Sequence, residues 1–116
     1  MVLPPPGDLP LRNVLFVCSQ NKLRSPTAEH VFANRDDVEV SSAGTNHDAE
    51  NPLSSELIEW ADIIFAMEKA HRTKIQTRYR SVLKGKRIIC LDIPDDFKFM
   101  DPRLIEILRT KVPAYL

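Results

Sequence analysis

The chain has 116 residues with sixteen Lys or Arg and sixteen Asp or Glu, so its formal net charge is zero, and 43% of its residues are hydrophobic. This length supports one core of ordinary size and leaves no room for a second. The zero net charge excludes a global field that would recruit nucleic acid or a membrane surface.

The first residues, Met-Val-Leu-Pro-Pro-Pro, are rich in proline, and we expect residues 1–11 to form a flexible tail. Residues 12–116 are predicted to form a single domain. The tail lacks the basic start and apolar run of a signal peptide. No stretch approaches the roughly 18 apolar residues of a membrane span. The two cysteines make no disulfide framework, which indicates a reducing compartment, so we expect a cytoplasmic protein.

The first apolar run, Val14–Val17, predicts a buried strand at Asn13–Val17 that ends at Cys18. Ser25 followed by Pro26 predicts a helix start, with the serine as N-cap and the proline at the first helical position. The helix is expected to continue to about Asn34. Cys18 therefore belongs to a loop between a strand and a helix. Backbone N–H groups of such a loop can converge on one anion, and the helix dipole adds positive potential.

The chemistry predicted for this loop depends on Cys18 and Arg24. A helix N-terminus and a nearby arginine both favour the thiolate form of a cysteine, so Cys18 is expected to be a thiolate nucleophile. Arg24 supplies a planar fork for two phosphate oxygens. The other members of the predicted phosphate-binding loop (P-loop) are Ser19, Gln20, Asn21, Lys22, Leu23 and Ser25. The alternative interpretation is a core strand that ends in a small buried cysteine.

Beyond this loop, short apolar strands alternate with amphipathic or charged segments, which is the pattern of crossover units in a parallel sheet. Strands are predicted at 39–42, 62–67 and 87–92, and helices at about 54–61, 69–80 and 101–111. Asp101 is expected to cap the last helix, with Pro102 at its first position. The prediction is a three-layer α/β fold with a four-stranded parallel sheet. Its ligand is expected at the carboxyl ends of the strands, where Cys18 lies.

Charges are segregated in the middle of the chain. Residues 46–68 contain six acids and no Lys or Arg, whereas residues 69–87 contain eight bases and no acid. The simpler interpretation of this basic segment is a solvated helix and loop. The alternative is a docking face for an acidic partner or an RNA backbone, although no aromatic residues are interleaved at a stacking rhythm, which disfavours RNA.

The histidines and the tryptophan are assigned no role in the chemistry. His30, His47 and His71 show no metal-ligand spacing, so no metal or cofactor is predicted. Trp60 is expected to pack rather than to stack on a substrate.

Several segments resemble the low-molecular-weight protein tyrosine phosphatases. The residues that match the family signature are Val14–Val17, Cys18, Asn21, Arg24-Ser25-Pro26, Ala28 and Glu29. The sequence Ser42-Ala43-Gly44-Thr45 is similar to a second family segment, and Ala61–Met67 more weakly to a third. The resemblance extends from Asn13 to about Ile93, which is most of the chain.

The chain also departs from the family pattern. Gln20 stands where the family usually has glycine, and Leu23 where it often has a second cysteine. Because glutamine tolerates positive φ poorly, we expect strain or a different backbone path at Gln20. Only eight residues separate Thr45 from Ser54, where the family usually has a further helix and an extended segment. The substrate preference of the family is therefore the property that carries over least to this chain.

The resemblance implies a protein tyrosine phosphatase-like hydrolase that acts through a phosphocysteine intermediate, without a metal or cofactor. Cys18 would attack phosphorus while Arg24 and the loop amides hold the oxygens. The family's general acid lies in an Asp-Pro-Tyr-like loop after the fourth strand, and here Asp95 matches best, with Asp96 in place of the proline. Asp101 is the rival. Ser25 is expected to donate to the thiolate or to cap the helix, and Asn21 to brace the loop through Ser42.

Other classes stay open. The substrate is expected to be a phosphorylated protein or a small phosphomonoester, and the loop would serve a non-tyrosine ester equally. A non-catalytic phosphate-binding regulatory module is the first alternative. An arsenate reductase-like thiol enzyme is the second, but its relay needs two further cysteines and only Cys90 remains. Membrane partners are not expected, and the oligomeric state is not predicted.

Overall fold

A computed structural model describes residues 11–116 of the chain. The flexible tail expected at residues 1–11 lies outside this part, apart from Leu11. No helix among residues 11–116 combines the length and the apolar character needed to cross a membrane.

Four parallel strands form one sheet, in the order β2-β1-β3-β4. The strands are β1 (Arg12–Cys18), β2 (Val38–Gly44), β3 (Ile63–Ala66) and β4 (Arg87–Cys90). Strand β1 pairs with β2 on one side and with β3 on the other, so Val14–Val17 are fully buried, as their unbroken apolar run predicts. The sheet confirms the predicted α/β fold class.

Helices cover both faces of the sheet. They are α1 (Arg24–Phe32), α2 (Ser55–Trp60), α3 (Lys69–Arg78), α4 (Arg80–Leu83) and α5 (Pro102–Lys111). Because side chains alternate along a strand, Val14 and Phe16 pack with residues of α1 and α5, whereas Leu15 and Val17 pack with residues of α2 and α3. The two apolar clusters join the sheet to a layer of helices on each of its faces, which gives three layers. They also fix the position of the carboxyl end of β1.

Several predicted elements have other bounds in the structure: β2 continues to Gly44, two residues past its predicted end, and α1 ends at Phe32 rather than near Asn34. The helix predicted at 69–80 is interrupted at Tyr79, whose backbone (φ −120°, ψ 24°) leaves the helical region between α3 and α4. Strand β4 ends at Cys90 rather than at residue 92, because Asp92 has a φ of 53° and turns the chain out of the strand direction. The cap of α5 is confirmed, since Asp101 Oδ1 accepts from the Arg103 N–H at 2.9 Å.

Part of the basic segment contacts the acidic stretch before it. Lys86 Nζ donates to the carbonyl oxygens of Ile58 and Glu59 at the end of α2, at 2.8 and 2.5 Å. Positive charge at a helix C-terminus is stabilising. Arg78 Nη1 donates to the Thr45 carbonyl at 2.6 Å, next to the loop that begins at Cys18. Docking of an acidic partner or an RNA backbone on the remaining bases stays the alternative to a solvated helix and loop.

Candidate active site

Residues 19–23 connect the carboxyl end of β1 to α1, at the edge of the sheet where a ligand was expected. The neighbouring segment after β2 holds this loop by its main chain. The N–H groups of Asn46 and Glu50 donate to the carbonyl oxygens of Ser19 and Gln20, both at 3.0 Å. Because the carbonyls of Ser19 and Gln20 accept these hydrogen bonds, contacts with residues 46–50 fix the backbone path of the loop.

Gly44 lets the end of β2 approach the loop. A Cβ at this position would lie 2.5 Å from the Ser19 carbonyl oxygen and 3.0 Å from the Asn21 nitrogen. Both are backbone atoms of the loop, so any side chain at position 44 would displace it. This close approach gives a physical reason for glycine in the Ser-Ala-Gly-Thr segment.

Asn21, not Gln20, has the left-handed backbone of the loop. Its φ is 57°, whereas Gln20 is not among the described residues with positive φ, so the strain expected at Gln20 is absent. Asparagine adopts this conformation more readily than most residues. The expected contact between Asn21 and Ser42 is also wrong, because Asn21 Nδ2 donates to Ser25 Oγ at 2.9 Å and the Ser42 hydroxyl donates to Glu29 at 2.6 Å.

Ser25 contacts the sulfur of Cys18. The Sγ to Oγ distance is 2.9 Å. Since Ser25 Oγ accepts from Asn21, its own hydrogen is free to point at the sulfur. The prediction of Ser25 as N-cap is wrong: α1 begins at Arg24, its N-cap position is Leu23, and no side chain caps it. The hydroxyl instead lies within hydrogen-bond distance of the sulfur and can donate to it.

Arg24 lies beneath the loop with a side chain only 3% exposed. Its Nη1 donates to Glu68 Oε2 at 2.6 Å and to the Ile93 carbonyl at 2.8 Å. Its Nε lies 3.7 Å from Asp95 Oδ1. The carboxylate of Glu68 therefore orients the guanidinium. The sequence alone gave Glu68 no role. Its place directly after the predicted strand 62–67, at the carboxyl end of the sheet, was the sign that it could lie near Arg24.

A cleft of about 190 Å³ opens over the cysteine. It is lined by Cys18, Ser19, Gln20, Lys22, Leu23, Arg24 and Asp95. The cleft therefore brings together all three predicted catalytic residues, while Asn21 and Ser25 lie buried behind the loop. Asp96 and Asp101 do not line it. An Arg103 hydrogen bond lowers the pKa of Asp101 below its ordinary value, which disfavours Asp101 as a proton donor.

His71 is a second residue that sequence reasoning missed. It is buried, and its Nδ1 accepts from the Glu68 N–H at 3.1 Å. A neutral imidazole that accepts at Nδ1 bears its hydrogen on Nε2. Nε2 of His71 therefore donates to Ser19 Oγ, at a distance of 2.8 Å. The segregated charge of 69–87 gave no sign of this contact. His71 thus supports the first loop residue after Cys18.

The stability of the protein is expected to fall between pH 6.5 and pH 4 because of His71. Burial, followed by the charge of Arg24, lowers the pKa of His71 from 6.5 to about 4. In this range the unfolded chain binds a proton that the folded chain does not, so the free energy of unfolding rises with pH. The contribution amounts to up to about 3 kcal/mol. Urea unfolding at a series of pH values measures it.

The matched variants for this titration are His71→Gln and His30→Gln, since His30 is exposed. His71→Gln should flatten the dependence of stability on pH in this range, and His30→Gln should leave it unchanged. Equal pH dependence in the wild type and in His71→Gln would contradict the expectation.

Comparisons with known proteins give concordant matches. The sequence model of the family described as low molecular weight phosphotyrosine protein phosphatase matches residues 13–59. The YwlE arginine phosphatase from Geobacillus stearothermophilus is 28% identical, with a TM-score of 0.65 over 85% of this chain and 82% of that one. A protein tyrosine phosphatase from Entamoeba histolytica, solved as a product state mimic, is 25% identical, with a TM-score of 0.64 over 84% and 88%.

A third solved structure is similar in fold. The low molecular weight protein tyrosine phosphatase SP-PTP from Streptococcus pyogenes has a TM-score of 0.75 over 91% of this chain and 94% of that one, at 15% identity. No curated protein matches the chain by sequence.

Proposed function

We infer that the chain, which belongs to the low-molecular-weight phosphotyrosine protein phosphatase family, is a cysteine-dependent phosphatase that hydrolyses phosphotyrosine or a similar phosphomonoester. The observation that carries this proposal is the shared cleft of Cys18, Arg24 and Asp95, with the Ser25 hydroxyl 2.9 Å from the sulfur. The cleft thus provides a nucleophile, a cation for the phosphate oxygens and an acid.

In the first proposed step the thiolate of Cys18 attacks phosphorus. The S–P bond forms, and the bond from phosphorus to the ester oxygen breaks with its electron pair on the leaving oxygen. Arg24 and the loop N–H groups hold the three equatorial oxygens, where charge is concentrated. Asp95 gives its proton to the leaving oxygen, since expulsion of an unprotonated alkoxide or phenoxide is costly.

In the second step water hydrolyses the phosphocysteine. The Asp95 carboxylate takes a proton from the water, the new P–O bond forms, and the S–P bond breaks to return the thiolate and free phosphate. Atoms and charge balance with no further reactant. Ser25 favours the thiolate as leaving group, because its hydroxyl is directed at the sulfur.

The preference for Asp95 over the other aspartates rests on position. Asp95 lines the cleft, its side chain is 66% exposed, and its Oδ1 lies 3.7 Å from Arg24 Nε. Asp101 is engaged as the cap of α5. We therefore assign the proton transfers to Asp95.

The alternative classes have less support. Cys90, the further thiol that an arsenate relay would use, is 3.4 Å from Asp92 and does not line the cleft. A non-catalytic module would have no need of an acid beside the cysteine. We also propose that residues 12–116 act as one domain in the cytoplasm, which the two free cysteines support.

Turnover assays test the function. The wild type should hydrolyse p-nitrophenyl phosphate, and vanadate should inhibit it. Two peptides of one sequence, with phosphotyrosine or phosphoarginine at the same position, then separate the ester from the phosphoramidate, which the similarity to an arginine phosphatase makes the natural competitor. Vanadate binding without turnover of any substrate would favour the non-catalytic module.

A further inference from the structure

We propose that Thr27 is a positioning residue for the general acid, because its hydroxyl connects α1 to the loop that contains Asp95. This inference rests on the proposed function, since it takes Asp95 as the proton donor. Thr27 lies outside the cleft and its side chain touches none of the reacting groups described above.

The hydroxyl of Thr27 both donates and accepts a hydrogen bond. Thr27 is completely buried, and its Oγ1 donates to the Leu23 carbonyl at 2.6 Å. The same oxygen accepts from the Met100 N–H at 2.9 Å. A hydroxyl has one hydrogen, so the bond to Leu23 directs a lone pair at Met100. Thr27 therefore joins Leu23, the last residue before α1, to the far end of the acid loop.

The near end of the acid loop is held by the same helix. Arg24 Nη1 donates to the Ile93 carbonyl at 2.8 Å. Residues 93–100, which we call the acid loop, are thus fixed at one end by Arg24 and at the other by Thr27, three residues later on α1. Asp95 lies between these two anchors.

The backbone of the acid loop is left-handed at the residue that Thr27 holds. Met100, the last residue of the acid loop, has a φ of 60°. Asp92, the residue before the loop begins, has a φ of 53°. For residues other than glycine this left-handed conformation costs free energy and persists only where the surroundings hold it. Without the bond to Thr27, Met100 is free to relax to a favourable backbone conformation and to move the acid loop with it.

The position of an acid affects substrates unequally. Proton transfer requires the donor within hydrogen-bond reach of the leaving oxygen. Leaving groups of high pKa depend on that proton more than leaving groups of low pKa. A displaced Asp95 therefore slows poor leaving groups most, whereas general loss of structure slows all substrates by the same factor.

The test compares Thr27→Val with Thr27→Ser on a series of aryl phosphates whose phenols differ in pKa. Valine keeps the shape of threonine and removes the hydroxyl, and serine restores it. We expect kcat/KM of Thr27→Val, which reports the step in which the phenol leaves, to fall about tenfold for the poorest leaving group and less than about twofold for the best, since small displacements of a catalytic group have effects of this order or larger. Thr27→Ser should recover most of the loss.

Thr110→Val is the matched control. Thr110 Oγ1 donates to the Glu106 carbonyl one turn back at 2.9 Å, as Thr27 does to Leu23, but it is exposed on α5. This variant should leave kcat unchanged for every substrate. Vanadate affinity and thermal unfolding, measured on each variant, report whether the cleft and the fold persist, and Thr27→Ala replaces Thr27→Val if the valine variant does not fold.

A uniform loss of kcat/KM across the aryl phosphates, or no loss, would overturn the role of Thr27 while the phosphatase function stands. Asp95→Asn belongs in the same series. If its loss did not depend on the leaving group, Asp95 would not be the acid and the inference would fall with that assignment. Absence of wild-type turnover would instead refute the function itself.

Discussion

Cys18→Ser is expected to reduce turnover of p-nitrophenyl phosphate by at least about a thousandfold, to the background rate. The hydroxyl of serine is far less acidic than a thiol, and a neutral hydroxyl is a weak nucleophile. The Ser25 hydroxyl, 2.9 Å from the sulfur, can donate a hydrogen bond but does not ionise an alcohol. The phosphate-binding contacts should survive, because Arg24 and the loop backbone are unchanged.

Two measurements separate loss of chemistry from loss of structure. Phosphate binding, followed by calorimetry, should persist in Cys18→Ser. The control is Cys90→Ser, which removes the other thiol at the end of β4 and should retain wild-type turnover. Substantial turnover by Cys18→Ser would rule out the phosphocysteine mechanism, and loss of turnover in Cys90→Ser would revive a two-thiol relay.

Asp95→Asn is expected to lower kcat by roughly 10²–10⁴-fold, the usual contribution of general acid–base catalysis. Asparagine keeps the size of the side chain but has no proton to transfer and does not accept one from water. The loss of kcat/KM, which reports the step in which the phenol leaves, should increase with the pKa of the leaving phenol. Steady-state kinetics on substituted phenyl phosphates measure both the size of the loss and its slope.

Asp101→Asn is the control for the general acid. Asparagine is a good N-cap, so the start of α5 and the stability should change little. Turnover should stay close to wild type, because Asp101 lies outside the cleft and is paired with Arg103 at 3.1 Å. A steep loss in Asp101→Asn with normal turnover in Asp95→Asn would exchange the two assignments.

The sequence determined the parts of the site that depend on local chain order. The apolar run before Cys18 predicts a buried strand, and the serine-proline pair after the five intervening residues predicts a strand, a loop and then a helix. Asp101 and Pro102 likewise mark the start of α5 by their own conformational preferences. These features follow from neighbouring residues, and the structure agrees with them.

The tertiary structure alone decided which side chains support the loop. Glu68 reaches Arg24 across 44 residues of chain, His71 reaches Ser19 across 52, and Thr27 reaches Met100 across 73. Ser25 likewise fits a helix cap by sequence, yet α1 begins at Arg24, two residues before the predicted first position, and the Ser25 hydroxyl contacts the sulfur. Hydrogen bonds of this kind depend on distances of about 3 Å that exist only after the sheet and helices have packed. No local propensity encodes them.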